Sequence, residues 1–179
     1  MKKLSMEELN RMDIKDFKQS SKFPVVVVLD NVRSMNNIGS VFRTCDAFRI
    51  DEIYLCGITA QPPHKDIEKT ALGATQSVNW TYFDTTQEAV NKLINDDYAV
   101  FAVEQVEQSI MLNEFNPCGY QKLALVFGNE VMGVEQQVVN SCHGCIEIPQ
   151  FGTKHSLNIS VSAGIILWHV INLYKNLKL

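Results

Sequence analysis

Apolar and polar positions change period several times along this chain, and each change marks an element. Residues 6–19 show helical spacing of apolar positions, with Ser5 and Glu8 set three apart as a capping box. Pro24 then opens VVVVLD, a continuous β-branched run of the kind a strand shows when both its faces are covered. A polar loop over 31–36 follows, and IGSVFRTCDAF (38–48) returns to helical spacing, with Asn37 placed to cap it. EIYLC (52–56) predicts a second strand, ended by Gly57. Residues 59–79 are loop-rich, with Pro62-Pro63 and a short helix near 65–72. Beyond them the pattern predicts strands over 80–83, 98–103, 122–127 and 144–148, helices over 86–95 and 135–140, and a final helix over 158–176. Strands alternating with helices predict an α/β fold, a mostly parallel sheet flanked by helices. No repeat, low-complexity segment or linker interrupts the pattern. We expect one domain over 23–179, preceded by a helical extension over 1–22.

Composition narrows the class. The 179 residues, 46% hydrophobic and 20% charged, suit one domain whose core needs no disulfide or metal staple. A net charge of −4 argues against coating nucleic acid by bulk electrostatics. The charge is uneven, however: residues 1–49 carry 9 basic and 6 acidic side chains, whereas 50–130 carry 4 and 12. Lys2, Lys3, Arg11, Lys15, Lys18, Lys22 and Arg33 are the expected phosphate contacts if the partner is RNA. The five cysteines are an odd number, and MKKLSMEELNRMD turns acidic before any apolar stretch develops. Reduced thiols in a cytoplasmic protein are the expectation. Cys142-His-Gly-Cys145 has no second Cys/His pair at zinc spacing, so no metal is expected. His155–Tyr174 runs 20 residues without Asp, Glu, Lys or Arg, close to a bilayer span. Its Ser, Asn and His content is too polar for lipid, which points to a buried helix or a subunit interface and to no membrane.

Three constellations lie just past predicted strand ends, where open α/β sheets place their ligands. In Asn36-Asn37-Ile-Gly39-Ser40-Val-Phe-Arg43, Gly39 permits close backbone approach and Arg43 offers a fork of donors; a capped helix with a surface Arg explains it equally well. In Phe127-Gly128-Asn129-Glu130-Val-Met-Gly133, two glycines flank a carboxylate, though an ordinary tight turn would look the same. It is neither GxGxxG nor a P-loop, which disfavours dinucleotides and nucleoside triphosphates. In the third, Ile148-Pro149 leads through Gly152 to Ser156, Leu157 and Asn158; Ser156 is a candidate cap and Asn158 a candidate ligand contact.

Together these stretches resemble the SpoU (TrmH-like) RNA ribose 2′-O-methyltransferases of the SPOUT superfamily. The resemblance runs from about Val25 to Leu173 and rests on N-N-I-G-x-x-x-R, V-F-G-N-E-x-x-G and I-P-x-x-G-x-x-x-S-L-N-I-S-V-S-A in that order. PPHKDIEKTALGA (62–74) further resembles the tRNA guanosine branch. Met35 stands where proline is common, and Gln150-Phe151 where methionine often begins the third motif. The resemblance implies methyl transfer from S-adenosyl-L-methionine to a ribose 2′-hydroxyl without a metal, a C-terminal trefoil knot and a homodimer. It implies catalytic roles for Arg43, Asn37, Glu130, Ser156 and Asn158, and cofactor contacts at Glu104, Gly128, Gly133, Ile148 and Leu157. An arginine is too basic to lose its proton readily, so Arg43 is expected to bind phosphate and stabilise the forming alkoxide. The RNA is expected to be tRNA, with ribosomal RNA, or an inactive RNA-binding module, as alternatives. The final helix is apolar on more than one face, which independently motivates dimerisation through it.

Overall fold

The structure, a computed structural model, describes residues 1–5 and 7–175. Its strands are β1 (Phe23–Asp30), β2 (Ile50–Cys56), β3 (Asn79–Phe83), β4 (Ala99–Val103), β5 (Ile110–Met111), β6 (Leu123–Phe127) and β7 (Gly144–Glu147). They form one seven-stranded sheet in the order β3-β2-β1-β6-β4-β7-β5, each paired neighbour parallel. The helices are α1 (Ile14–Gln19), α2 (Met35–Ala47), α3 (Lys65–Ala71), α4 (Ala74–Ser77), α5 (Thr86–Asn95), α6 (Gln136–Ser141) and α7 (Ile159–Lys175).

The VVVVLD run is apolar throughout because both its faces are covered. Val25, Val27 and Leu29 pack in a core with Ile38, Val41 and Phe42 of α2 and Ala163, Ile166 and Val170 of α7. Val26 and Val28 face a second core with Ala89, Val90 and Leu93 of α5 and Val138 of α6. Alternation of side chains along a strand thus feeds two helix layers from one sequence run. Gly39 lets α2 approach α3 closely: a Cβ there would collide with the Ile67 carbonyl oxygen and the Thr70 hydroxyl.

Several expectations need correction. The N-terminal helix begins at Ile14, not at residue 6, and Met6 lies outside the described residues. The Ser5–Glu8 box does form, with Ser5 N donating to Glu8 (2.7 Å) and Glu8 N to Ser5 Oγ (3.2 Å). Asn10 at φ +44° then turns the chain away, and Asp13 caps α1 instead. Helix α2 starts earlier than expected because Ser34, not Asn37, is its N-cap, accepting from Asn37 N. Two-residue β5 was not anticipated and extends the sheet beyond β7. The final helix matches its expected start within one residue, while position 176 lies outside the described residues. Before it, Asn158 does the capping expected of Ser156: its Oδ1 accepts from Ser160 N at 2.9 Å.

Candidate active site

Since the strands are parallel, their carboxyl ends share one edge of the sheet. At the level of Val103, Phe127 and Ile146 the strands β4, β6 and β7 are in register, and the loops leaving them enclose a crevice of about 650 Å³. The crevice suits a small organic ligand in size. Val103, Phe127, Ile146 and Ile148 supply apolar lining, and Glu104, Asn129, Glu130, Ser156 and Asn158 polar lining.

The β6–α6 loop is shaped by close backbone approach. Asn129 and Gly133 exchange backbone hydrogen bonds, both 2.9 Å, which folds the loop back on itself. Gly128 sits against that closure, and a Cβ on it would land on the Gly133 and Val134 backbone. Gly133 has φ +69°, and a side chain there would strike the Glu104 carboxylate. Glu104 occupies that space for a reason. Its Oε2 accepts from Val134 N at 3.0 Å and its Oε1 from Gln105 N at 2.9 Å, so both oxygens hold loop backbone in place.

Glu130 is the hub of a network joining three remote segments. Its Oε2 accepts from Arg33 N (3.0 Å), and its Oε1 from Ser34 N (2.9 Å) and Asn37 Nδ2 (3.1 Å). Asn37 Oδ1 in turn accepts from Asn158 Nδ2 at 3.2 Å. Burial pushes the Glu130 carboxyl up, but donors from the Arg33, Ser34 and Glu130 backbone and from Asn37 outweigh it, leaving it below its ordinary value. A carboxylate over backbone N–H groups at the entry of α2 also suits the helix dipole.

Asn37, Glu130 and Asn158 are therefore brought together, and Glu104, Gly128, Gly133, Ile148, Ser156 and Leu157 line the same crevice. Ser156 is exposed and makes no hydrogen bond among the described residues. Arg43 stands apart. It lies six residues along α2 from Asn37, about 9 Å up the axis and roughly 120° round it. It lines a separate groove of about 570 Å³ with Phe48 of the α2 end and Ile165 and Trp168 of α7. No ion pair or hydrogen bond holds its side chain among the described residues.

Two supporting residues escaped the sequence reading. Asn129 Nδ2 donates to Asn31 O (2.7 Å), while its Oδ1 accepts from Val131 N (2.8 Å) and Met132 N (3.2 Å). Asp30, fully buried at the end of β1, accepts from Asn31 Nδ2 (2.9 Å), Glu135 N (2.9 Å) and the Thr86 hydroxyl. A lone charge closing an otherwise apolar strand was the available signal for Asp30.

The basic front of the chain is placed less simply than its charge suggested. Lys15, Lys18 and Lys22 precede β1 and so lie at the amino edge of the sheet, roughly 25 Å from the crevice by the length of an eight-residue strand. Lys22 is occupied by the Phe17 and Ser20 carbonyls and the Phe17 ring, and Lys2 by Glu8. Of that set, Arg33 borders the site, through its backbone bond to Glu130. Burial pushes the Cys56 and Cys142 thiols up to about 12, which keeps them protonated. Among the described residues no group of three or more His, Cys, Asp or Glu side chains is placed to hold a metal ion. No helix there is long and apolar enough to cross a membrane.

A parallel α/β sheet with a ligand-sized crevice at its carboxyl edge, lined by the loops after β4 and β6 and by the segment entering α7, is the arrangement of an α/β protein that binds a small organic ligand. The model of the SpoU rRNA Methylase family matches residues 24–168, and the chain belongs to that family. Among relatives, the tRNA (guanosine(18)-2′-O)-methyltransferase of Aquifex aeolicus is 33% identical over 149 residues, 80% of this chain and 67% of that protein. The crystal structure of the A. aeolicus TrmH/SpoU tRNA modifying enzyme superposes with a TM-score of 0.80 at 25% identity, over 91% of this chain and 83% of that one. The SpoU methyltransferase AviRb of Streptomyces viridochromogenes, in complex with AdoMet, shares the fold with a TM-score of 0.77 at 20% identity, over 90% of this chain and 64% of that one. This chain thus spans about two thirds of the length of some of its relatives.

Proposed function

We propose that this chain transfers a methyl group from S-adenosylmethionine to a ribose 2′-hydroxyl of RNA, with tRNA the favoured substrate. The observation that carries the reading is the Asn158–Asn37–Glu130 network on the rim of the β6–β4–β7 crevice. The tRNA specificity of the Aquifex relative favours tRNA; the family's description, which names rRNA, keeps ribosomal RNA as the second substrate to test.

The crevice fits the cofactor in volume and lining, with the Gly128, Ile148 and Leu157 backbone as contacts and Glu104 and Gly133 bracing the loop beneath. Bound there, S-adenosylmethionine supplies a methyl carbon already activated by its sulfonium charge. The protein's task is to position a weak nucleophile and manage its proton. Asn37 and Asn158, fixed by Glu130 and by the start of α7, hold that rim rigid, and Ser156 keeps its hydroxyl free for substrate. Arg43, with no partner among the described residues, binds the phosphate beside the ribose and stabilises the developing alkoxide.

Arg43 reaches this role through a homodimer. Helix α7 buries Ile166, Leu167, Val170 and Ile171, yet leaves Val161 (49%), Ile165 (38%) and Trp168 (59%) as a bare stripe beside Arg43. A second copy seated on that stripe covers the apolar surface and carries Arg43 towards the partner's crevice. A trefoil knot in the C-terminal segment belongs to the same reading on the strength of the family resemblance alone. Residues 1–22 act as an extension on a methyltransferase domain over 23–179, and the protein works in the cytoplasm. The test is ribose-methylation mapping of total tRNA and rRNA from cells with and without the protein. One tRNA position lost without it is expected; identical maps with no cofactor heat in calorimetry would leave an inactive RNA-binding module.

A further inference from the structure

Two loops at the mouth of the crevice carry apolar side chains that the fold leaves bare. Val131 and Met132 are 72% and 83% exposed at the tip of the β6–α6 loop, and Phe151 is 97% exposed between β7 and α7. Val131 and Met132 line the crevice, and so does Gln150, next to Phe151. Gly152, Thr153, Lys154 and His155 follow Phe151, all exposed. A bare aromatic ring three residues from an ammonium group, beside a site for a ribose, is the pairing that holds single-stranded nucleic acid. The ring stacks on a base while the cation meets the backbone.

We propose that Phe151 is the stacking platform for the nucleobase of the nucleotide whose ribose is methylated, with Lys154 on the adjoining phosphate. The proposal rests on the RNA-methyltransferase reading above. A second copy of the chain is the weaker occupant, because the apolar stripe that a copy would cover (Val161, Ile165, Trp168) lies along α7 against the α2 groove. Phe151 lies outside that groove, on the segment that lines the crevice. Every base has a π-face, so the platform supplies affinity and orientation and leaves base identity to be read by other contacts.

The full chain is assayed with S-adenosylmethionine and tRNA. Phe151→Ala should raise KM for RNA by roughly tenfold to a hundredfold, the scale of one lost base–aromatic stack, with the calorimetric Kd for S-adenosylmethionine unchanged. Phe151→Trp should restore KM and Phe151→Leu should not, since stacking needs a ring and apolar packing does not. On an RNA lacking the target base, wild type and Phe151→Ala should show the same KM. A wild-type KM in Phe151→Ala, rescue by Leu as complete as by Trp, a weakened cofactor Kd, or a difference that persists on the abasic RNA would each overturn the proposal. So would a fall in mass by light scattering, which would assign Phe151 to an interface between copies. If the wild-type chain methylates no RNA at all, the reading of the site itself fails.

Discussion

Glu130→Gln isolates the carboxylate on which the rim of the site depends. One oxygen accepts from Arg33 N at 3.0 Å, the other from Ser34 N at 2.9 Å and Asn37 Nδ2 at 3.1 Å. An amide keeps one acceptor and turns an NH₂ group onto a backbone N–H. One bond is lost, and the other two cease to be charge-assisted. Hydrogen bonds to charged groups contribute about 1.5–3 kcal/mol each when well shielded. Glu130 is exposed, so solvent screening reduces the expected loss to about 1–3 kcal/mol. Proton linkage gives this loss a signature. The carboxyl is held below its ordinary value in the folded chain, burial notwithstanding, by its backbone and Asn37 donors. A group depressed in this way contributes stability above its unfolded pKa, and that contribution disappears as pH falls through the folded one. Urea midpoints of the variant and the wild type should therefore differ at pH 7 and converge below about pH 4. Methyl transfer should drop in parallel at pH 7, because the bond that anchors Asn37 is no longer charge-assisted. A midpoint difference that stays constant from neutral to acid pH would refute the assignment.

Arg43→Ala should abolish methylation while calorimetry still shows S-adenosylmethionine binding; retained turnover would remove Arg43 from the reaction. Gly128→Ala places a methyl group on the Gly133 and Val134 backbone, which cannot rotate aside. It should cost about 1–3 kcal/mol of stability and weaken the cofactor Kd at least about tenfold by displacing the loop, so a wild-type Kd would count against the close approach. Trp168→Glu puts a charge into the bare stripe of α7 and should yield a monomer by light scattering with activity lost. A dimer that survives the change would place the interface elsewhere.

The parts of the fold that were legible are those whose burial repeats along the chain. VVVVLD is covered on both faces and reads so, α5 buries enough of one face to show a period, and α7 shows itself as part of a 20-residue run without Asp, Glu, Lys or Arg. Strand β5 has two residues, too few for any period, and is held by its pairing with β7. At the N-terminus the capping box made its bonds, but one residue at positive φ ended the turn, and no local signal says which wins. The motif residues of the site could be named singly, yet their mutual bonding could not. Asn37 is 93 residues from Glu130 and 121 from Asn158. Asn129 reads as an ordinary turn residue until its four partners are seen. The position of Arg43, on the same helix as Asn37 but turned towards α7, follows from helical rotation and could have been read from the six-residue spacing.

The ties between the loops after β1, after β6 and before α7 span 93 to 121 residues. Loop-closure entropy opposes each of them, and none can form until the sheet has delivered both ends. Residues 23–83 can lay down β1, β2 and β3 and still supply none of the residues that line the crevice. The site is thus a late product of folding, inherited whole from the completed sheet. A chain stalled at half a sheet has no weakened version of it, and is blind to cofactor and RNA alike.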